Sequence, residues 1–349
     1  MDFNNKKLFI LLMFNTGVAF WVAPTPAILC SLTYVWSKIA QYTNRTPGLA
    51  AAASFTIGNY IYLGTGRATA AITSTQSFYR YDTINNVWSA TATAPLSGTA
   101  RNGAQGFALN GYGFILGGRA PFATGAPYYK DLWRYNPTTN SWAKAATYSG
   151  TTRGIAISFI LKGEAYYGLG TLSGGAGEFK DFRRYNATDD AWYTTVGKGG
   201  GNGTYSIPDF KAGPRFYPGY WTNASGTKAY VSCGGATANV LQNDLWEFDI
   251  DTLQWTKKTS LPSVARENMM YGSIGTGIPS NKGYLIGGYT ATIPMQDVWE
   301  YDILTDVWTQ RTNLPEVLYN AHITAFNCSI YAGPGGGAAG TSASIWQQI

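Results

Sequence analysis

The chain has 349 residues, three cysteines, one histidine and a net charge of +6 from 25 basic and 19 acidic groups. Charged residues make up 13% of it, against about 25% in an ordinary soluble domain. The surface is therefore largely neutral polar, as in secreted, adhesive or virion-surface proteins. Its basic residues are scattered, which argues against a nucleic-acid partner. Cys30, Cys233 and Cys328 make no disulfide framework; Cys30 and Cys328 either form one bridge or are buried free thiols.

Residues 1–33 differ from the rest. Lys6 and Lys7 precede an uncharged run from Leu8 to Ser37. This predicts either a cleaved secretory signal, with Gly17 and Ala19 as the small residues before the cut, or a retained apolar segment buried against a host assembly. A membrane span is the weaker reading, because Pro24 and Pro26 interrupt a run that needs ~20 apolar residues.

From residue 34 onward the chain repeats itself. "TYVWSKIAQ" (33–41) carries Trp36. Then "YIYLGTG" (60–66), "GFILGG" (113–118), "AYYGLG" (165–170), "AYVSCGG" (229–235) and "GYLIGG" (283–288) are short apolar runs ending in glycines. Such runs fit strands covered on both faces, and the glycines fit positive φ or close backbone approach. Each run leads into an aromatic strand: "SFYRYDTINNVW" (77–88), "DLWRYNPTTNSW" (131–142), "DFRRYNATDDAW" (181–192), "DLWEFDIDTLQW" (244–255) and "DVWEYDILTDVW" (297–308). Tyr81, Tyr135, Tyr185, Phe248 and Tyr301 each stand seven residues before Trp88, Trp142, Trp192, Trp255 and Trp308, with Asp or Asn directly after the aromatic. That Asx opens a turn, and the tryptophan opens the returning strand. The period is about fifty residues, which marks a repeat fold. A sixth start, "SIYAGPGG" (329–336) and "SASIWQQI" (342–349), lacks the tryptophan strand that Trp36 can supply.

The glycine doublet, aromatic pair and late tryptophan resemble the Kelch motif, over roughly residues 34–349. That resemblance implies an all-β, six-bladed β-propeller of four-stranded antiparallel blades. An N-terminal strand would complete the C-terminal blade and remove an exposed sheet edge. The domain division that follows is an apolar segment 1–33 and a propeller 34–349.

Two loop sets on one face carry the candidate binding residues. Arg101, Arg153, Arg215 and Arg266 precede the inner strands of four blades, and Asn320 is placed with them in blade six. In Kelch propellers that resemble this one, arginines here line the channel mouth and meet acidic ligands, for which guanidinium forks are suited. The competing reading is that each arginine pairs within the ring and holds it. Phe122, Tyr128 and Tyr129 occupy the loop after the second glycine doublet, and Gly-rich 197–221 enlarges blade four. Exposed rings there would suit a glycan; otherwise they pack beneath their own loops.

Catalysis has little to build on. His322, on the predicted inner strand of blade six, is read as a core residue. A lone histidine gives no two-histidine metal set, so Kelch-like copper oxidases are excluded and no cofactor or metal is expected. Asp209, Glu178 and Glu267 remain as carboxylates in or near face loops. The sequence thus points to a non-catalytic binding or adhesion module, extracellular, envelope-attached or on a virion. Its expected partner is a glycan or protein receptor, with a possible host assembly contacting residues 1–33. The alternative is a sugar-acid isomerase, since sialate mutarotases also use a Kelch-type propeller with a basic mouth.

Overall fold

The computed structural model describes residues 35–39, 49–68, 74–94, 100–121, 127–173, 176–197, 204–269, 281–326, 329–337 and 340–348. The expected segment 1–33, the bridge between Cys30 and Cys328, and Phe122 lie outside these residues. Within them the chain forms a six-bladed propeller of antiparallel blades. Blade one is Ala53–Ile57, Tyr60–Gly64, Phe78–Asp82 and Val87–Ala90. Blade two is Gln105–Leu109, Tyr112–Leu116, Leu132–Asn136 and Ser141–Ala145. Blade three is Ile157–Leu161, Glu164–Gly168, Phe182–Asn186 and Ala191–Tyr193. Blade four is Gly219–Thr222, Lys228–Ser232, Leu245–Asp249 and Gln254–Lys258. Blade five shows its outer three strands, Lys282–Ile286, Val298–Asp302 and Val307–Arg311; its expected inner strand falls within undescribed residues.

Blade six closes the ring. Ile323–Phe326, Ser329–Ala332 and Trp346–Gln348 come from the C-terminus, and Trp36–Lys38 pairs with the last of them, Trp36 opposite Gln348. The strand that lacked a partner in the sequence therefore finds it across the whole chain.

The repeated residues act between blades as well as within them. In each hairpin the aromatic lies opposite the tryptophan, as Tyr135 does Trp142. The Asx after the aromatic accepts backbone N–H bonds two and three residues on, as Asn136 does from Thr138 and Thr139. This is the turn that Asx side chains favour. The tyrosine hydroxyl donates to a second Asx held at positive φ: Tyr81 to Asn86, Tyr135 to Asn140, Tyr185 to Asp190 and Tyr301 to Asp306, at 2.6–2.7 Å.

Three of those second Asx residues also accept from the preceding blade: Asn140 from Ala92 N–H, Asp190 from Ala146 N–H and Asp306 from Thr259 N–H, each at 2.9 Å. The tryptophans donate back across the same junctions. Trp142 Nε1 reaches Ala92 O, Trp192 reaches Ala146 O, Trp308 reaches Thr259 O and Trp36 reaches Thr312 O, at 2.8–3.1 Å.

Blade four is the exception. Phe248 has no hydroxyl, Leu253 stands at the second Asx position, and Trp255 Nε1 is buried without an acceptor. The residue that should meet them, Val196, is drawn into a separate hairpin of Thr195–Gly197 with Thr204–Ser206. The polar partners are thus missing together, on both sides of one junction.

Aromatic faces fill the space between blades. Phe55, Tyr62 and Phe78 of blade one pack on Tyr135 and Trp142 of blade two. Trp221 of blade four, wholly buried, packs on Tyr301 and Trp308 of blade five. The glycine doublets are needed where the chain turns from second strand to loop. Gly118 has φ +85°, and a Cβ there would lie 2.8 Å from Ala104 N. No L-residue with a side chain fits that geometry.

Candidate functional site

The inner strands line a central channel, and the segment entering each strand sets its throat. Ala51, Gly103, Ile155, Tyr217, Asn268 and Asn320, one per blade, all have φ between +47° and +64°. Positive φ turns their amides along the ring rather than along the blade. Gly103 N–H donates to Ala51 O, Ile155 to Gly103 O, Asn320 to Asn268 O and Ala51 to Asn320 O, at 2.8–2.9 Å. This belt of backbone bonds narrows the channel on the loop face.

Outward from the belt, the residue before each positive-φ position pairs with the residue after a glycine doublet: Asn102 with Arg119, Gly154 with Thr171, Phe216 with Gly235, and Glu267 with Tyr289. In blade one, Ala50 pairs with Arg67. The mouth is therefore edged by Arg67 of blade one and by Asn102, Arg119 and Tyr128 of blade two. Phe216 and Tyr217 of blade four, and Glu267 and Tyr289 of blade five, complete the far side. Arg119 Nε donates to Asn102 Oδ1 at 3.4 Å, and Tyr289 packs on Tyr319 of blade six with centroids 5.4 Å apart.

Tyr217 stands at the centre. It is half-buried, and the desolvation of its surroundings pushes the hydroxyl up to about 12. The charges acting on it come from three other blades: Arg119, Glu267 and Arg67. Glu267 is the unusual acid. Burial pushes it up to about 7, while the bond it accepts from Asn268 Nδ2, 3.0 Å, pulls the other way. Its Oε2 is buried with no hydrogen-bond partner, as are Asn268 Oδ1 and Asn320 Oδ1. Three orphaned acceptors around one opening are unusual in a folded protein, where buried polar atoms are nearly all satisfied.

Residues 280–315 match the Kelch motif model. With six blades of this repeat closed into a ring, the assignment is decided. The chain carries the Kelch motif on a six-bladed propeller. Over 115 residues, 32% of this chain, it is 31% identical to Kelch domain-containing protein 1 of Mus musculus, spanning 28% of that protein. Over 107 residues, 30% of this chain, it is 29% identical to the N-acetylneuraminate epimerase of Escherichia coli K12, spanning 27% of it. The matched stretches thus span under a third of these curated relatives. Among solved structures, YjhT superposes with a TM-score of 0.70 at 15% identity, covering 86% of this chain and 95% of YjhT; that likeness concerns the fold.

This Kelch propeller places the four expected arginines one layer below the mouth. Arg101, Arg153, Arg215 and Arg266 are at most 2% exposed. Arg101 forks onto Asp131 (2.5 and 3.0 Å), Arg153 onto Asp181 (2.8 and 3.1 Å) and Arg266 onto Asp297 (2.5 and 2.9 Å), while Arg215 reaches Asp244 at 2.5 Å. Each also donates to the carbonyl at the first position of its own blade's glycine pair: Gly117, Leu169, Cys233 or Gly287. This is the ring-holding role. The physical reason is register: the arginine side chain points back into its blade, and the residue after it faces the opening.

Asn320 shares that register correction. The bridge of Tyr319 with Gly336 aligns Tyr319 with Glu267, so Leu318 occupies the arginine place and Asn320 matches Asn268, at the throat. Tyr129 lies against Arg101, 4.1 Å from guanidinium carbon to ring centroid, whereas Tyr128 faces the mouth. Asp209 makes an exposed ion pair with Lys180 at 3.3 Å. Glu178 has one buried oxygen without a partner. His322 is 6% exposed and bonds through Nδ1 to Ser54 Oγ of blade one.

Proposed function

We propose that this propeller is a binding module that takes a carboxylate-bearing sugar of a glycan at the loop-face mouth of its channel. The observation that carries this reading is the convergence of Arg67, Arg119, Glu267, Tyr128 and Tyr217 on one opening, with orphaned acceptors on Asn268 and Asn320. Two guanidinium groups suit a carboxylate. Tyrosine rings supply an apolar face with a hydroxyl at its tip. The amide oxygens and a protonated Glu267 suit sugar hydroxyls.

Display on a surface is part of this reading. It is supported by the low charged fraction and the uncharged run of residues 8–37. An intact mass of the protein from its source tests it: loss of about the first nineteen residues means export through a cleaved signal. Retention means that a partner assembly covers the segment.

The binding test is titration calorimetry with N-acetylneuraminate on the full chain and on the R67A/R119A double variant. Wild-type binding that weakens at least tenfold in the variant is expected. No binding to wild type, or equal binding to both, overturns the reading.

A second reading, sugar-acid isomerase, is favoured by one observation: burial pushes Glu267 up to about 7 at the same opening, as an acid–base group requires. Such a group would move a proton between the anomeric hydroxyl and the ring oxygen. Anomer-exchange NMR of N-acetylneuraminate with wild type and E267Q separates the two. Acceleration lost in E267Q makes the protein an isomerase; no acceleration leaves it a binding module.

A further inference from the structure

The opposite end of the channel is built differently. Below the belt the lumen widens into a cavity of 490 Å³ that opens past the turns at Gly58, Asn110–Gly111, Lys162–Gly163 and Ser225–Gly226. This lies within the about 300–1,000 Å³ of small-ligand sites. Its floor is made by side chains that cross the channel. Tyr220 of blade four accepts from Gln105 Nε2 of blade two at 2.6 Å, and burial raises its hydroxyl so that it stays neutral. Ser54 of blade one meets His322 of blade six.

The walls follow from strand alternation. Side chains two apart on an inner strand share a face, so Ser54 and Thr56, His322 and Thr324, and Tyr220 and Thr222 all turn to the lumen. Thr56 and Thr324 are bonded to each other at 2.9 Å, and Ser158 faces Gly106 O at 3.5 Å. Ser54, Ser158, Thr222, Thr324 and His322 are all at least nine-tenths buried and still line the cavity. No carboxylate lines the described wall. Its only lysine, Lys162, is at the rim and ion-paired with Asp251.

We infer that this cavity is a second ligand site, distinct from the mouth, and that it takes a neutral polyhydroxy compound of mono- or disaccharide size. Hydroxyls of serine and threonine both donate and accept, which matches a sugar's own hydroxyls. Inside the rim, the described wall carries no carboxylate, lysine or arginine to match an anion or a cation as it desolvates. The cavity opens past the turns away from the mouth, which is the side from which a ligand enters.

The test is saturation-transfer NMR of the full chain with glucose, galactose, lactose and maltose as probes, followed by titration of whichever binds. Ala108 faces the lumen from blade two and takes no part in its hydrogen bonds, so A108F fills the cavity. Binding that weakens at least tenfold in A108F and is unchanged in R67A/R119A is expected. If A108F loses its native melt, T222V/T324V replaces it, since it removes two hydroxyls at nearly constant volume; at least fivefold weaker binding is then expected. Absence of binding by all four sugars overturns the proposal. So does binding lost in R67A/R119A but kept in the cavity variants, which would put neutral sugar at the mouth. Failure of the mouth reading, seen with N-acetylneuraminate, leaves this outcome unaffected.

Discussion

Replacing Arg266 with alanine should unfold the ring more readily without touching the mouth. Arg266 is wholly buried and makes two bonds to Asp297, one to Gly287 O at 3.1 Å, one to Val264 O at 3.2 Å and one to Ser263 Oγ at 2.6 Å. After truncation Asp297 keeps the bond from Trp299 Nε1, 2.7 Å, but loses its counter-charge. Removing one partner of a buried pair costs about 3–5 kcal/mol, a large share of the ~5–15 kcal/mol that holds a domain together. For a chain of this size each kcal/mol moves Tm by about 1.4 °C, so R266A should melt roughly 4–7 °C lower. The double replacement R266M/D297L should recover much of that loss, because it removes both charges at once. Differential scanning calorimetry reads the melts, and calorimetric titration with N-acetylneuraminate at low temperature reads the mouth. An R266A protein with an unchanged melt and no binding would refute the reasoning and return the arginine to the ligand.

Four further outcomes are expected. W142F removes the Trp142–Ala92 bond and should cost about 1 kcal/mol more than W255F, whose Nε1 has no acceptor to lose; urea melts compare them. Glu267 is raised in the folded state, so the fold holds a proton that the unfolded chain releases near its ordinary 4.5. Stability should therefore be full below pH 4.5 and decline by roughly 3 kcal/mol as pH rises to 7, and E267Q should flatten that slope in melts taken across pH. Asp302 is held down at about 2, chiefly by the bond from Lys282, with its turn amides adding to it. The stability it lends is present above the ordinary carboxylate range and lost as pH falls from 4 toward 2; D302N should lose that acid dependence. Deleting residues 1–38 removes the strand that pairs with Trp346–Gln348, so the truncated chain should aggregate on size-exclusion chromatography.

The fold was readable because its signal is local and repeated. An aromatic, an Asx and a tryptophan at fixed spacing state the hairpin, and the unmatched Trp36 states the closure. The arginines were harder, because sequence spacing places a residue on a loop without saying which way its side chain turns. Their partners were nevertheless on view. Asp131, Asp181, Asp244 and Asp297 open four of the aromatic stretches, and the arginine recurs in the same four blades. Blade one has Ser77 and blade six has Ser344 at that place. Arginine and aspartate come and go together, as a buried pair must. Of the mouth residues, Tyr128 and Glu267 stood out on their loops, whereas Arg67, Arg119 and Tyr217 escaped because no period marks them. Arg67 and Arg119 follow a glycine doublet in two blades, whereas Thr171, Gly235 and Tyr289 follow it in three others. Residues that break the repeat carry no periodic signal. The channel cavity was equally hidden, since its serines and threonines gain meaning only when the inner strands face one another.

The junction between blades three and four has a bearing on how the ring could be cut. At the junctions of blades one and two, two and three, and four and five, a tryptophan bond and an Asx bond both cross, so new chain ends there would cost those bonds. Here Phe248, Leu253 and Trp255 hold their neighbour by packing alone. A circular permutant with the native ends joined and new ends at this seam would forfeit no tryptophan or Asx bond of that kind. A ring assembled from repeated units thus has a position where its order of synthesis could be changed without losing those bonds, and the extra hairpin between these blades occupies that position.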